Sequence, residues 1–295
     1  MGPGALPQAQ RASRKVRRYA PWGTQLLAVK VETMHKIWVI MRKEWSEVFR
    51  NRLVLFSVAF LPLLLTALPL GILYGMGRSS DLGAIGASDM PPGFARTCGG
   101  LTGGECAAYF LVSQFLLLFM LMPLAIPVTI ASYSIVGEKT TRTLEPLLAT
   151  PISTWQLLAG KGGAAVTPAI VVTWLCFAAF TLGARLMAAP AVAARTSDPM
   201  WLLAVFVVGP LLALAATGVA VMVSSRTSDP RVAEQVSMMV MLPLMAVLLG
   251  QVAGLILPDA QLVAWIALGL AVVDVGLLGF AVALFQRETI LTRWK

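Results

Sequence analysis

The sequence predicts an all-α polytopic integral membrane protein, with six transmembrane helices preceded by an amphipathic helix that lies along the membrane surface. Three observations carry this. Of the 295 residues 58% are hydrophobic and 13% charged, and the mean hydropathy is +0.79, a balance far from that of a soluble domain. The apolar residues gather into six runs, each near the roughly 20 residues a helix needs to cross about 30 Å of hydrocarbon. Between the runs, Lys and Arg concentrate on alternate segments.

Residues 1–32 are rich in Pro, Gly, Gln and Arg, with Arg11, Arg14, Lys15, Arg17 and Arg18 clustered, the composition of a disordered basic tail. No apolar core follows these charges, so neither a secretory nor a twin-arginine signal is expected. Over 33–52 the pattern becomes that of an amphipathic helix. Met34, Ile37, Trp38, Met41, Trp45, Val48 and Phe49 recur at helical spacing, while His35, Lys36, Arg42, Lys43, Glu44, Glu47 and Arg50 take the other faces. Basic residues with tryptophans on such a helix favour lying half-buried in the headgroup plane. His35, the only histidine, reads as a solvated side chain, and no metal site is expected.

The six spans are placed at 53–76, 107–136, 162–187, 200–223, 232–257 and 261–285. The second is long and holds Pro123 and Pro127, which predicts a kink or a break. In the fifth, Gln251-Val252-Ala253-Gly254 ahead of Pro258-Asp259 suits either a full span or a shorter span followed by a re-entrant piece. Gly250 and Gly254 there permit close helix contact.

With the amino terminus inside, 19 of the 23 Lys and Arg residues fall on inner segments, and Arg78, Arg96, Arg185 and Arg195 on outer ones. The positive-inside rule then places both termini and the 137–161 segment in the cytoplasm, with the chain in the inner or plasma membrane. The net charge of +9 is accounted for by anionic lipid, to which each juxtamembrane Lys or Arg contributes about 1 kcal/mol, and not by nucleic acid. Cys98 and Cys106 share the first outer loop, where an oxidising compartment allows a disulfide; two free thiols are the alternative. Cys176 stands alone in the third span.

Residues 137–161, GEKTTRTLEPLLATPISTWQLLAGK, form a polar segment that carries an apolar patch it cannot bury by itself. Pro146 suits a first helical position, and Leu144, Leu147 and Leu148 then share one face. Pro151 ends this short helix, because Thr150 ahead of it is pushed out of the α region. Ser153 and Gln156 carry a capping-box signature that opens the next membrane helix. The leucines rest on the membrane or on neighbouring helices, or they dock on a partner.

Motifs for chemistry are missing. Ala159-Gly160-Lys161-Gly162-Gly163 puts a lysine among glycines but lacks the preceding strand and following Ser/Thr of a P-loop, and neither His-Glu-x-x-His nor Gly-x-Ser-x-Gly occurs. The chain is therefore not expected to be an enzyme. Asp274 lies near the middle of the sixth span, where a carboxylate costs about 2.5 to 3.5 kcal/mol on insertion scales and must face protein, water or a cation. It is either a cation, proton or substrate-path group or a protonated acid bonded to a neighbouring helix. Gln114, Gln235 and Gln251 are weaker candidates for the same path.

Glu138-Lys139, the run from Arg142 to Ser153, and Gly160-Lys161 together resemble the signature loop of ABC transporter permeases of the ABC-2 type, sodium-export permeases among them. The resemblance implies that Glu138, Arg142, Thr143, Leu144, Glu145, Pro146, Leu147, Leu148, Thr150 and Pro151 couple the membrane domain to a separate ABC ATPase subunit. It further implies that 33–52 is an elbow helix, 53–285 one six-helix transmembrane domain, and 286–295 a short cytoplasmic tail. ATP and Mg would be held by the partner and no cofactor by this chain. Six spans are half of such a transport unit, so a second permease copy or a paralogue is implied. Many relatives carry Glu-Arg-Gly after Glu-Lys where this chain has Thr140-Thr141-Arg142-Thr143, a difference that bears on local flexibility. The implied function is export driven by the partner's ATP hydrolysis. The alternatives are a non-transporting scaffold, regulator or lipid-extracting partner of an ABC ATPase, and a channel or secondary carrier built on Asp274.

Overall fold

A computed structural model describes residues 22–76, 98, 101, 103–140, 152–256 and 259–284. Helix α1 (Trp22–Val48) leads into α2 (Arg52–Met76), the first span. The second span is α3 (Gly103–Phe119) followed by α4 (Met122–Thr140), and the third is the unbroken α5 (Thr154–Met187). A short helix, α6 (Pro190–Arg195), precedes the fourth span, built from α7 (Pro199–Leu203), a π turn (Ala204–Val208) and α8 (Gly209–Arg226). The fifth joins α9 (Pro230–Ser237), a 3-10 turn (Met238–Met241) and α10 (Leu242–Val252), and α11 (Ala260–Leu284) is the sixth. Six stretches are thus long and apolar enough to cross a membrane, at the predicted places, and the described residues contain no strand.

The irregular turns have a common cause. The break at Met120 and Leu121, the π turn and the 3-10 turn each end two residues ahead of a proline, Pro123, Pro210 and Pro243. A proline inside a helix has no N–H to donate and its ring crowds the carbonyl four residues back, and a locally wider or tighter turn relieves that crowding. The widened turn also frees the Val205 carbonyl to accept from the Trp174 indole at 3.3 Å. The break predicted from Pro123 and Pro127 falls before the first of them; Pro127 sits inside α4.

Two expectations are corrected. First, α1 begins at Trp22, well ahead of 33, so the stretch from 22 to 32 is helix rather than disordered tail. Leu26, Leu27 and Ala28 are strong helix formers, and Glu32 pairs with Lys36 one turn on at 3.2 Å. Second, Gly250 and Gly254 do not bring two helices together. Gly254 has φ 71°, the amides of Leu255 and Ile256 donate back to the Gly250 carbonyl, and a Cβ on Gly250 would lie 2.7 Å from Ile256 Cδ1. The two glycines end α10 by letting the chain turn and fold Ile256 over it. The described residues of the fifth span contain no re-entrant piece.

The second span is the centre of the bundle. Of its apolar stretch 72% is buried inside the protein, against 11% for the fifth and sixth spans. Phe119, Met122, Leu124, Ile126, Val128 and Ile130 are buried, and α4 packs against α8, α5, α9 and α2. The sixth span touches the rest along one seam: Val263, Ala267, Leu270, Asp274, Leu277 and Ala281, spaced alternately four and three, are its more buried residues, and Leu277 meets Gly218 of α8. Cys98 and Cys106 are joined by a disulfide with Cα atoms 5.4 Å apart, and the Arg195 guanidinium lies over the Tyr109 ring at 5.4 Å. Cys176 is a free thiol.

Candidate functional site

The ends of three helices, α1, α4 and α5, meet in a buried polar knot. It forms because small residues in the second and third turns of α5 let α1 come very close: a Cβ on Gly160 would stand 2.7 Å from Ile40 Cγ2, and one on Gly163 3.2 Å from Met41 Sδ. The Trp45 indole donates to the Ala164 carbonyl at 2.9 Å, and the Gln156 amide to Thr33 at 3.4 Å. With the backbones this near, Glu44 of α1 faces Lys161 of α5, and Lys161 Nζ lies 2.8 Å from Glu44 Oε1.

Lys161 also reaches α4, at 2.8 Å from Glu138 Oε2 and 3.0 Å from Ser134 Oγ. Ser134 in turn donates to Glu44, and Lys43 donates to Glu138. Lys43 lies 3.4 Å from Glu44 and 3.2 Å from Glu47, the latter one turn along α1. Glu44, Glu138 and Lys161 are 2%, 5% and 7% exposed. Burial pushes the Glu44 carboxyl up, but the Lys161 ammonium, the Ser134 hydroxyl and the Lys43 charge outweigh it and hold the group below its ordinary 4.5. Burial likewise opposes the Lys43 ammonium, and its hydrogen bond to Glu138 with the charges of Glu44 and Glu138 turns the balance upward. The carboxylates of Glu44, Glu47 and Glu138 come within 4.8 Å of one another, a spacing that suits a metal ion. Two ammonium groups, of Lys43 and Lys161, already stand among them and offset two of the three charges.

The knot lies at the base of the 137–161 segment. Helix α4 carries Glu138 and runs to Thr140, and α5 starts at Thr154, so both ends of the segment are helical. The predicted capping box is present: Ser153 Oγ accepts from the Gln156 amide at 3.3 Å, and Gln156 Oε1 accepts from the Ser153 amide at 3.0 Å. Arg142, Thr143, Leu144, Glu145, Pro146, Leu147, Leu148, Thr150 and Pro151 lie outside the described residues. Of the residues singled out for coupling, Glu138 is therefore the one whose surroundings are described.

Glu44 and Lys161 are where the sequence reading falls short. Periodicity assigns Glu44 to a polar face, yet it is among the most buried side chains of α1, while Met34, Trp38 and Phe49 of the apolar set are exposed. The helix has two working faces. Ile37, Ile40, Met41, Glu44 and Val48 turn toward the protein, and Met34, Trp38 and Phe49 turn away from it. An apolar stripe read from sequence points between the two. The signal that could have found the pair is Gly160, Gly163 and Ala164 around Lys161, small residues that mark a close helix approach.

Among the polar residues inside spans, Asp274 is 5% exposed, and neither of its oxygens has a hydrogen-bond partner among the described residues. Gln251 is fully buried and donates to Ser113 at 3.2 Å, tying α10 to α3. Gln114 is half-buried, with its amide atoms unpartnered among the described residues. Gln235 is exposed in the single chain. Its neighbour Glu234, a second carboxylate in a span, accepts from Thr129 at 2.7 Å and was not singled out in the sequence. No hydrogen bond joins these amides to Asp274.

A family model described as ABC-2 family transporter protein matches residues 38–268, from α1 into α11. No curated protein matches the chain.

Proposed function

Because the chain belongs to the ABC-2 transporter family, whose members are transmembrane permease subunits, we propose that it exports a substrate using ATP hydrolysed by a separate ABC ATPase that docks on the loop between α4 and α5. The observation that carries this is the position of the knot. The helix entering the loop, the helix leaving it and the helix on the membrane surface are joined to one another by buried ion pairs at the loop's base. A loop anchored in this way can receive a push and pass it on; a loop merely resting on lipid has no use for such an anchor. ATP and Mg belong to the partner on this reading, and a second permease copy or a paralogue completes the transport unit. The exposed Met34, Trp38 and Trp155, with Arg42 and Arg50 beside them on the inner surface, suit contact with anionic headgroups.

The test is the double variant Leu147→Asp/Leu148→Asp, expressed with a candidate ABC ATPase partner. Each leucine buried in a partner's groove contributes about 1.5 to 3 kcal/mol, and two charges at a dry contact add a further penalty. The expected product inserts and melts like the unaltered protein but no longer co-purifies with the ATPase or stimulates its turnover. Retention of the ATPase at full stoichiometry by well-folded double variant would remove the loop as the docking site.

A further inference from the structure

Charged groups are a costly adhesive between helices, since apolar residues of similar volume hold as well or better without desolvating an ion. Ile40, Met41 and Trp45 already supply apolar contact between α1 and α5. What the ions add is a fixed register. Apolar surfaces slide past one another at little cost, whereas a charge-assisted hydrogen bond holds at one distance and one angle. Lys161 is the member that meets both other helices, through Glu44 of α1 and through Glu138 and Ser134 of α4. The restraint extends further: Asn51, in the link from α1 to α2, donates to the Tyr133 hydroxyl of α4.

We propose that Lys161, gripped by Glu44 and Glu138, is a positioning residue that locks α1 and the inner ends of α4 and α5 into one rigid body, so that movement of the loop becomes movement of the surface helix. This rests on the loop being the input from an ATPase. The locking itself is a property of described side chains, and it can fail separately.

The experiment measures distances between spin labels in the complex with the ATPase, in a Cys176→Ser background, before and after trapping with ATP, Mg and vanadate. One pair, at Met34 and Trp155, lies within the proposed body; the other, at Met34 and Leu268, spans from it to α11. All three positions are exposed. In the otherwise unaltered protein the first distance should stay fixed on trapping and the second should shift. In Glu44→Gln/Lys161→Met, where both charges are removed together so that neither is left alone opposite the other, the first distribution should broaden at least twofold and shift on trapping, with the ATPase still bound. A shift of the first pair in the unaltered protein overturns the rigid body without any knot variant. An unchanged first pair in the trapped double variant overturns the role of the ions. If neither pair moves in the unaltered protein with ATPase bound, the loop is not the input, and that result removes the reading on which the inference stands.

Discussion

At the inner end of the bundle Glu44, Glu138 and Lys161 are buried together, and each lies 2.8 Å from an opposite charge. Near the middle of the last span Asp274 is buried to a similar degree, and neither oxygen is hydrogen-bonded among the described residues. Both are ionisable groups removed from water, but the physical consequences differ. A compensated pair is part of the packing, and taking away one member strands the other. A lone carboxylate on a packed seam is a strain that the fold tolerates, and tolerated strain of this kind in a membrane span points to use by a ligand, a proton or a partner. We propose that the first group is a joint and that Asp274 is the place to look for what is carried.

The largest expected effect tests that division directly. Lys161→Met leaves the buried Glu44 and Glu138 with only the part-exposed Lys43 to compensate them, at a cost of about 3 kcal/mol, read as a lower midpoint of thermal unfolding in nanodiscs. Asp274→Asn removes a charge that no neighbour needs and should leave the midpoint unchanged or slightly raised. If Asp274 handles a cation or proton, turnover nevertheless collapses in that variant. Equal losses of stability from the two substitutions would erase the distinction between joint and lone acid.

A smaller effect sharpens the geometry of the joint. Gly160→Ala drives a methyl against the root of the Ile40 side chain and should cost about 1 to 3 kcal/mol. Gly162→Ala, two residues on, meets only Thr217 Cγ2 at an ordinary 3.6 Å and should change stability by no more than about 0.5 kcal/mol. Similar costs at the two positions would mean that α1 does not sit where Gly160 lets it.

The smallest effect is the acid limb of stability. The Glu44 carboxyl lies below its ordinary 4.5 in the folded chain, so its contribution is fully present above 4.5 and is lost as pH falls through the folded value. Lys43, Lys161, Glu47, Glu138 and Ser134 are the groups that face it. Glu44→Gln should flatten the fall in unfolding midpoint below pH 4.5. An acid limb unaffected by Glu44→Gln would place the responsible carboxylate elsewhere.

Much of the fold is legible in the sequence because a bilayer imposes simple demands. A span must be about 20 residues long and apolar, so the six runs and the helix break ahead of Pro123 could be read directly. The capping box at Ser153 and Gln156 could be read too, because it depends on four consecutive residues. The knot was hidden for the opposite reason. Glu44 and Lys161 are far apart in the chain, and each looks ordinary alone, one a charge on an amphipathic helix and the other a lysine closing a polar segment. Their pairing depends on how closely two helices approach, which Gly160 and Gly163 permit but do not spell out. Gln235 shows the same limit from the other side. Its type suits an interior path, but the face of the fifth span that turns inward is set by packing, and it places Ala233 and Ser237 inside and Gln235 out.

Everything assigned to the inner end presupposes that the knot and the loop above it lie in the cytoplasm, where ATP is available. The most direct measurement is the accessibility of single cysteines, in a Cys176→Ser background, to a membrane-impermeant thiol reagent applied to sealed vesicles of each orientation. Cysteines placed at Thr141 and Thr292 should react only from the cytoplasmic side, and one at Ser80 only from the outside. Labelling of position 141 from the outside would put the joint on the wrong face of the membrane and contradict the coupling role.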